Sequence, residues 1–207
     1  MFDDIRIDLG IISHKPGPML ERCLQSLIAI PAGVSYRLLL QLTPGTNSEN
    51  WNRLFKRCEA DFICILEDDT AAIRPFWLKS MVETMLTYPQ AGIVMPVETK
   101  DGMYSDLGFR QWLNKTVMVD QTFGFCNLIR KGVQLEADEN LTYFVDIDLA
   151  YQARAKGWHC LCNGHVWLLH GSPEKDRLSD MVDLREKQEK DRLYLAEKWQ
   201  QKQEVAA

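Results

Sequence analysis

No apolar run in this sequence approaches the ~20 residues a helix needs to cross a bilayer, so no transmembrane segment is expected. The start, Met1-Phe2-Asp3-Asp4, is acidic and lacks the basic residues that open a secretion signal. Cytoplasmic residence is the resulting expectation. Positive charge is not in excess: 24 Lys and Arg stand against 29 Asp and Glu, a net charge of −5. That balance disfavours general binding to nucleic acid and leaves only local basic surface, around Lys56-Arg57 or Arg130-Lys131, for such a partner. The paired two-residue cysteine spacings of structural zinc sites are also missing. The six cysteines are scattered, and Cys160 and Cys162 alternate with apolar neighbours as on one face of a strand. They read as buried free thiols.

What is present is an α/β pattern, in a chain of 207 residues, long enough for one domain with a sizeable core. Ile5 to Ile12 reads as a buried strand. The turn Ser13-His14-Lys15-Pro16-Gly17-Pro18 follows, then a helix with Leu20, Cys23, Leu24, Leu27 and Ile28 on one side. Tyr36 to Leu42 is a second strand. Trp51, Leu54, Phe55 and Cys58 mark a second helix, and Phe62 to Leu66 is the third strand. Pro75 suits the first turn of the next helix, and Gly92 to Pro96 is a fourth strand. Apolar strands alternating with helices imply a parallel sheet covered on both faces. Beyond residue 97 the pattern becomes a mixed or antiparallel addition, with short extended pieces around Trp112 to Val119. It includes a short helix from Asp148 to Lys156, ended by Gly157, and an extended segment from His159 to Leu169. The last residues read as one helix or a broken one. Its apolar patches are Leu178, Met181 and Val182, then Leu195, Ala196 and Trp199.

The chemistry concentrates in three places. Ile65-Leu66 runs straight into Glu67-Asp68-Asp69. Carboxylates packed at a strand end repel one another unless a cation sits among them, and hard oxygen ligands suit a divalent metal carrying phosphate oxygens. The carboxyl end of a buried strand is also where open α/β sheets bind ligands. The second place is Asp146-Ile147-Asp148 at the start of a helix, and the third is His170-Gly171 at the end of an extended segment.

In order and character these pieces resemble the family 2 nucleotide-sugar glycosyltransferases. Ile12 to Leu27 is similar to that family's opening strand, turn and helix, and Asn52 to Thr70 to its D-x-D region. Gly124 to Lys131 resembles the strand beneath the sugar. Phe144 to Trp158 resembles the E-D-x-D-L segment, and Val166 to Gly171 the strand ending in a metal-binding His. The resemblance implies a GT-A fold, an α/β architecture with a Rossmann-like mixed sheet flanked by helices. It implies a catalytic unit over residues 1–173 and a C-terminal helical segment over 174–207 packed on it. It further implies Mn²⁺ or Mg²⁺ held by Asp69 and His170 with Glu67. The nucleotide-sugar, a UDP-sugar by preference, would be met by Ser13, His14, Glu67, Asp68 and Gly124. Asp146 would be the general base of an inverting transfer to an acceptor hydroxyl on a saccharide, a lipid-linked sugar, a protein or a hydroxylated DNA base. Val145 stands where the family carries Glu, and Asp148 reads as the N-cap or a first-turn residue of its helix. Residues 102–121 and 171–177 read as loops over the site. Two other readings compete. A nucleotidyltransferase would prefer a basic, Gly-rich first turn, and a non-catalytic module would bind donor or partner without turnover.

Overall fold

The computed structural model describes residues 4–100, 103–104, 109–171 and 182–206. Nine strands among them form one sheet. In chain order they are β1 (Ile7–Ile12), β2 (Arg37–Gln41), β3 (Phe62–Glu67), β4 (Thr70–Ala72), β5 (Ala91–Lys100), β6 (Met103–Tyr104), β7 (Thr116–Val119), β8 (Cys126–Arg130) and β9 (His159–His170). The helices are α1 (Pro18–Ala29), α2 (Asn47–Arg57), α3 (Trp77–Thr87), α4 (Val145–Ala155) and α5 (Val182–Ala206). Strand order is β2-β1-β3-β8-β5-β9-β4, with β6 on β5 and β7 on β9. Pairings β1–β2, β1–β3 and β5–β9 are parallel, while β8 runs antiparallel to both β3 and β5. Five strands therefore point one way around a reversed β8, and their carboxyl ends share one edge of the sheet.

The sequence explains these elements locally. Every residue of β1 is buried, and in β3 only the terminal Glu67 is not. Strands covered on both faces need no polar alternation. Pro18 opens α1, where a missing N–H costs nothing. Thr46 and Glu49 start α2 with a reciprocal capping box. The Leu54 side chain lies so close over Gly10 that a Cβ there would come within 2.8 Å of it. Wholly buried Leu54, Leu78, Met81, Met85 and Leu128 fill the space between sheet and helices.

Several expected boundaries move. Pro75 precedes the left-handed N-cap Phe76 and does not open α3. Pro96 lies inside β5, at a register shift against β9. A bulge is where a strand accommodates a residue that cannot donate to the ladder. The helix expected from Asp148 begins at Val145, with Phe144 as N-cap in the left-handed region and no side-chain cap. Asp148 is thus inside the first turn and not the cap. Residues 109–112 form a short 3-10 helix, and β7, paired antiparallel with β9, lies where a short extended piece is expected. Residues 172–177 of the second expected loop lie outside the described residues, as do Leu178, Met181 and the Val182 side chain.

The second C-terminal patch docks. Buried Leu195 joins the core, and the Trp199 ring meets Tyr151 edge-on at 5.4 Å. All six cysteines are free and buried. No helix among the described residues is long and apolar enough to cross a membrane.

Candidate active site

Glu67 ends β3, and the chain turns at Asp68 and Asp69 into β4. β4 pairs with the end of β9, Thr70 opposite His170. That pairing brings together residues a hundred positions apart. His170 Nε2 lies 3.3 Å from Asp69 Oδ1 and 3.5 Å from Glu67 Oε2. Among the described residues, Glu67, Asp69 and His170 are the one group of ligating side chains with atoms mutually within 4.8 Å.

The group is supported from behind. His170 Nδ1 lies 2.8 Å from Oε1 of Glu98, a buried residue near the end of β5, and the Phe125 ring stacks on the imidazole at 5.0 Å. Arg22 on α1 donates to the carbonyls of Asp69 and Gly171 at 2.6 and 2.7 Å. It thereby ties the acidic turn to the end of β9. Burial alone would depress the His170 pKa, but Asp69, Glu67 and Glu98 outweigh it and hold it up at about 11. The ring is therefore a cation among carboxylates.

Asp68 turns the other way. Its carboxylate accepts from the hydroxyl of fully buried Ser13, and its N–H donates to Ile12 O at 3.1 Å. Burial, with the charges of Asp69 and Glu67 adding, raises its pKa. His14 is exposed beside α2, with Nε2 3.1 Å from Asn47 Oδ1, and is no part of the His170 cluster. Asn52 reaches neither site. It exchanges hydrogen bonds with the backbone of Ala137 at 2.8 and 2.9 Å.

Asp146 is the second residue of α4 and approaches the cluster across Gly124. A Cβ at Gly124 would stand 2.9 Å from Glu67 Oε1 and 3.7 Å from Asp146 Oδ2, so only glycine leaves that gap open. Thr122 holds the turn by donating to Asp146 O at 3.2 Å. Burial of the carboxyl, with the Glu67 charge adding, raises the Asp146 pKa to about 7, against the pull of nearby backbone N–H groups. Asp148, two residues on, is 0 % exposed. Its Oδ2 accepts from Gln152 at 2.7 Å, and its Oδ1 accepts from Trp199 and Lys198 at 2.8 and 2.7 Å.

The structure thus brings Glu67, Asp69, His170, Gly124 and Asp146 together, sets Ser13 with Asp68 beside them, and leaves His14 at the rim. Sequence reasoning missed Glu98 and Arg22. An acidic residue following the apolar Val94-Met95-Pro96-Val97 was the available signal for the first. Arg22 is one polar residue of an amphipathic helix and carried none.

No family model matches the chain, and no curated protein matches it in sequence. Solved structures do match in shape. GalNAc-T7, in a structure with UDP, GalNAc and Mn²⁺, superposes with a TM-score of 0.62 at 9 % identity, over 80 % of this chain and 44 % of its own. TarS 1–349 of S. aureus gives a TM-score of 0.62 at 10 % identity, over 82 % of this chain and 61 % of its own. Both are GT-A glycosyltransferases. The chain has the GT-A fold. It spans less than two thirds of either neighbour, and the likeness is one of architecture that does not single out family 2.

A divalent cation suits the donor set. Two carboxylates and an imidazole offer hard oxygens and one borderline nitrogen. The second imidazole nitrogen is fixed by Glu98, as metal-ligating histidines usually require. Five carboxylates, from Glu67, Asp68, Asp69, Glu98 and Asp146, gather here against His170 and Arg22, and added positive charge would relieve their repulsion.

Proposed function

We propose that this protein is a divalent-metal-dependent glycosyltransferase that moves a sugar from a nucleoside diphosphate sugar to an acceptor hydroxyl. The convergence of Glu67, Asp69 and His170 with Asp146 across Gly124, at the carboxyl edge of a GT-A sheet, carries this reading. Glu67, Asp69 and His170 would hold the ion. When bound, it would offset the negative charge that develops on the leaving diphosphate. The imidazole among the ligands favours Mn²⁺ over Mg²⁺.

Ser13 orients Asp68 toward the nucleoside end, with His14 at its rim, and UDP is the proposed carrier. Gly124 lets the Glu67 and Asp146 carboxylates approach each other beneath the proposed sugar. Asp146 takes the proton of the acceptor hydroxyl as that oxygen bonds to the anomeric carbon and the carbon–phosphate-oxygen bond breaks. A single displacement of this kind inverts the anomeric centre. A base with a pKa of about 7 is half ionised at neutral pH, which suits proton abstraction there. The family's Glu is replaced by Val145, which is buried in the core and takes no part.

Calorimetric titration of UDP-sugars with and without Mn²⁺ tests the donor site. Binding that requires the metal and is lost in Asp69→Ala supports the reading. Equal binding without metal would sink it.

A further inference from the structure

A cavity lies beyond the cluster, between α4, α5 and the segment after β7, with a volume of about 970 Å³. It is at the upper end of the ~300–1,000 Å³ usual for small-molecule sites. Its walls combine the rings of Phe144, Tyr151 and Trp199 with Gln121, Arg154 and Arg192. Aromatic faces beside fixed polar groups are what a saccharide requires, because each sugar ring has apolar C–H faces and a polar rim.

The cavity lies beside the start of α4, while the Asp146 carboxylate itself faces Gly124 and Glu67 outside the cavity lining. Phe144 and Ile147, which line it, flank Asp146 in sequence, and Gln121 precedes the Thr122 that binds the Asp146 carbonyl. From there the groove follows α4. Arg154 lies seven residues past Ile147, about 10 Å away at 1.5 Å per residue. Arg192 belongs to the other end, since the adjacent Asp191 accepts from the N–H groups of Thr142 and Tyr143, just ahead of α4, at 2.7 and 2.9 Å.

The groove is also electrically distinct. Its lining carries two arginines against Asp120, a balance of +1 in a chain of −5. Arg154 pairs with Asp120 at 2.9 Å and Arg192 with Glu189 at 2.7 Å, both at the surface. Exposed pairs of this kind are worth ~0–1 kcal/mol, so an incoming anion can replace either partner.

We propose that this groove is the acceptor subsite and that the acceptor is an acidic oligosaccharide. Its reacting end leaves the groove past Phe144 toward Asp146, and its acid groups meet Arg192 and Arg154 about two helical turns apart. The proposal rests on the glycosyltransferase reading for the word acceptor, but the groove's ligand is testable without turnover. A uronic acid tetrasaccharide, a phosphorylated tetrasaccharide and neutral maltotetraose are titrated against the full chain, following tryptophan fluorescence. Saturable binding of an acidic probe is expected, about tenfold or more tighter than the neutral one. It should weaken by a similar factor in Arg154→Gln/Arg192→Gln, whose exposed side chains can change without disturbing the core. The tighter of the two acidic probes names the acid. No saturable binding, equal binding of the neutral probe, or full affinity in the double variant overturns the proposal. If the acidic probe binds as expected but no nucleotide sugar binds or turns over, the glycosyltransferase reading fails and the groove's ligand class stands.

Discussion

Replacing Lys198 with methionine should destabilise this protein far more than a lysine on a C-terminal helix ordinarily would. Its ammonium sits 2.7 Å from both Asp138 Oδ2 and Asp148 Oδ1, and its side chain is only 16 % exposed. Asp148 is fully buried, with Gln152 and Trp199 as its other donors. Removing one member of such a pair leaves a carboxylate desolvated without its counter-charge, at a cost of ~3–5 kcal/mol. For a domain of this size each kcal/mol lowers Tm by about 2–4 °C, so the expected drop is roughly 6–20 °C. Thermal and urea unfolding, followed by far-UV circular dichroism, measure it. Asp148→Asn/Lys198→Met removes the buried charge at Asp148 and should recover part of the loss, because Asn still accepts from Trp199 while Asp138 still lacks its counter-charge. A loss below ~1 kcal/mol in the single variant, or a double variant no better than the single, would refute the reasoning. The same contacts have a functional reach. α5 holds Asp138, Thr142, Tyr143 and Asp148, the stretch around the proposed base.

Other consequences follow from the same geometry. Asp146→Asn should lower kcat ~10²–10⁴-fold with donor affinity intact. The wild-type rate should rise with pH through about 7, where Asp146 ionises, and single-turnover pH profiles should show that limb vanish in the variant. In the metal-free protein the His170 proton occupies the position of a ligand bond, so Mn²⁺ must displace it. Mn²⁺ affinity should therefore tighten by about tenfold per pH unit between pH 7 and 10, with proton release seen in calorimetry; a flat profile would contradict this. Glu98→Gln should weaken Mn²⁺ binding by about 10–100-fold. Arg37 and neighbouring N–H groups outweigh burial to hold Asp8 down at about 2, and Lys198 does the same for Asp138. Both contributions are complete above the ordinary carboxylate pKa near 3.8 and disappear as pH falls through 2, so acid unfolding should begin between those values.

Much of this architecture is written in local chemistry. β1 and β3 are legible because strands buried on both faces are apolar without interruption, and the acidic run stands out where β3 ends. The strand extent around Pro96 is not, because the bulge that tolerates proline is set by β9, a partner over sixty residues away. Glu98 was lost with that boundary. Asp146 and His170 could be named from motif order alone, but their proximity depends on β4 pairing with β9 and on the reversed β8. Asp148 reads as an ordinary cap or first-turn residue because acidic residues at helix starts usually are. Only the docking of α5, through Lys198 and Trp199, makes it a buried anchor. No local pattern announces a partner fifty residues downstream.

The most direct test of the central claim is nucleotide release from a panel of UDP-, GDP-, dTDP- and CMP-sugars, with Mn²⁺ or Mg²⁺, by the wild type, Asp69→Ala and Asp146→Asn in parallel. The account predicts metal-dependent release from a UDP-sugar that is abolished in the first variant and falls steeply in the second. Release that ignores both substitutions, or the absence of both release and binding for every donor, would contradict it.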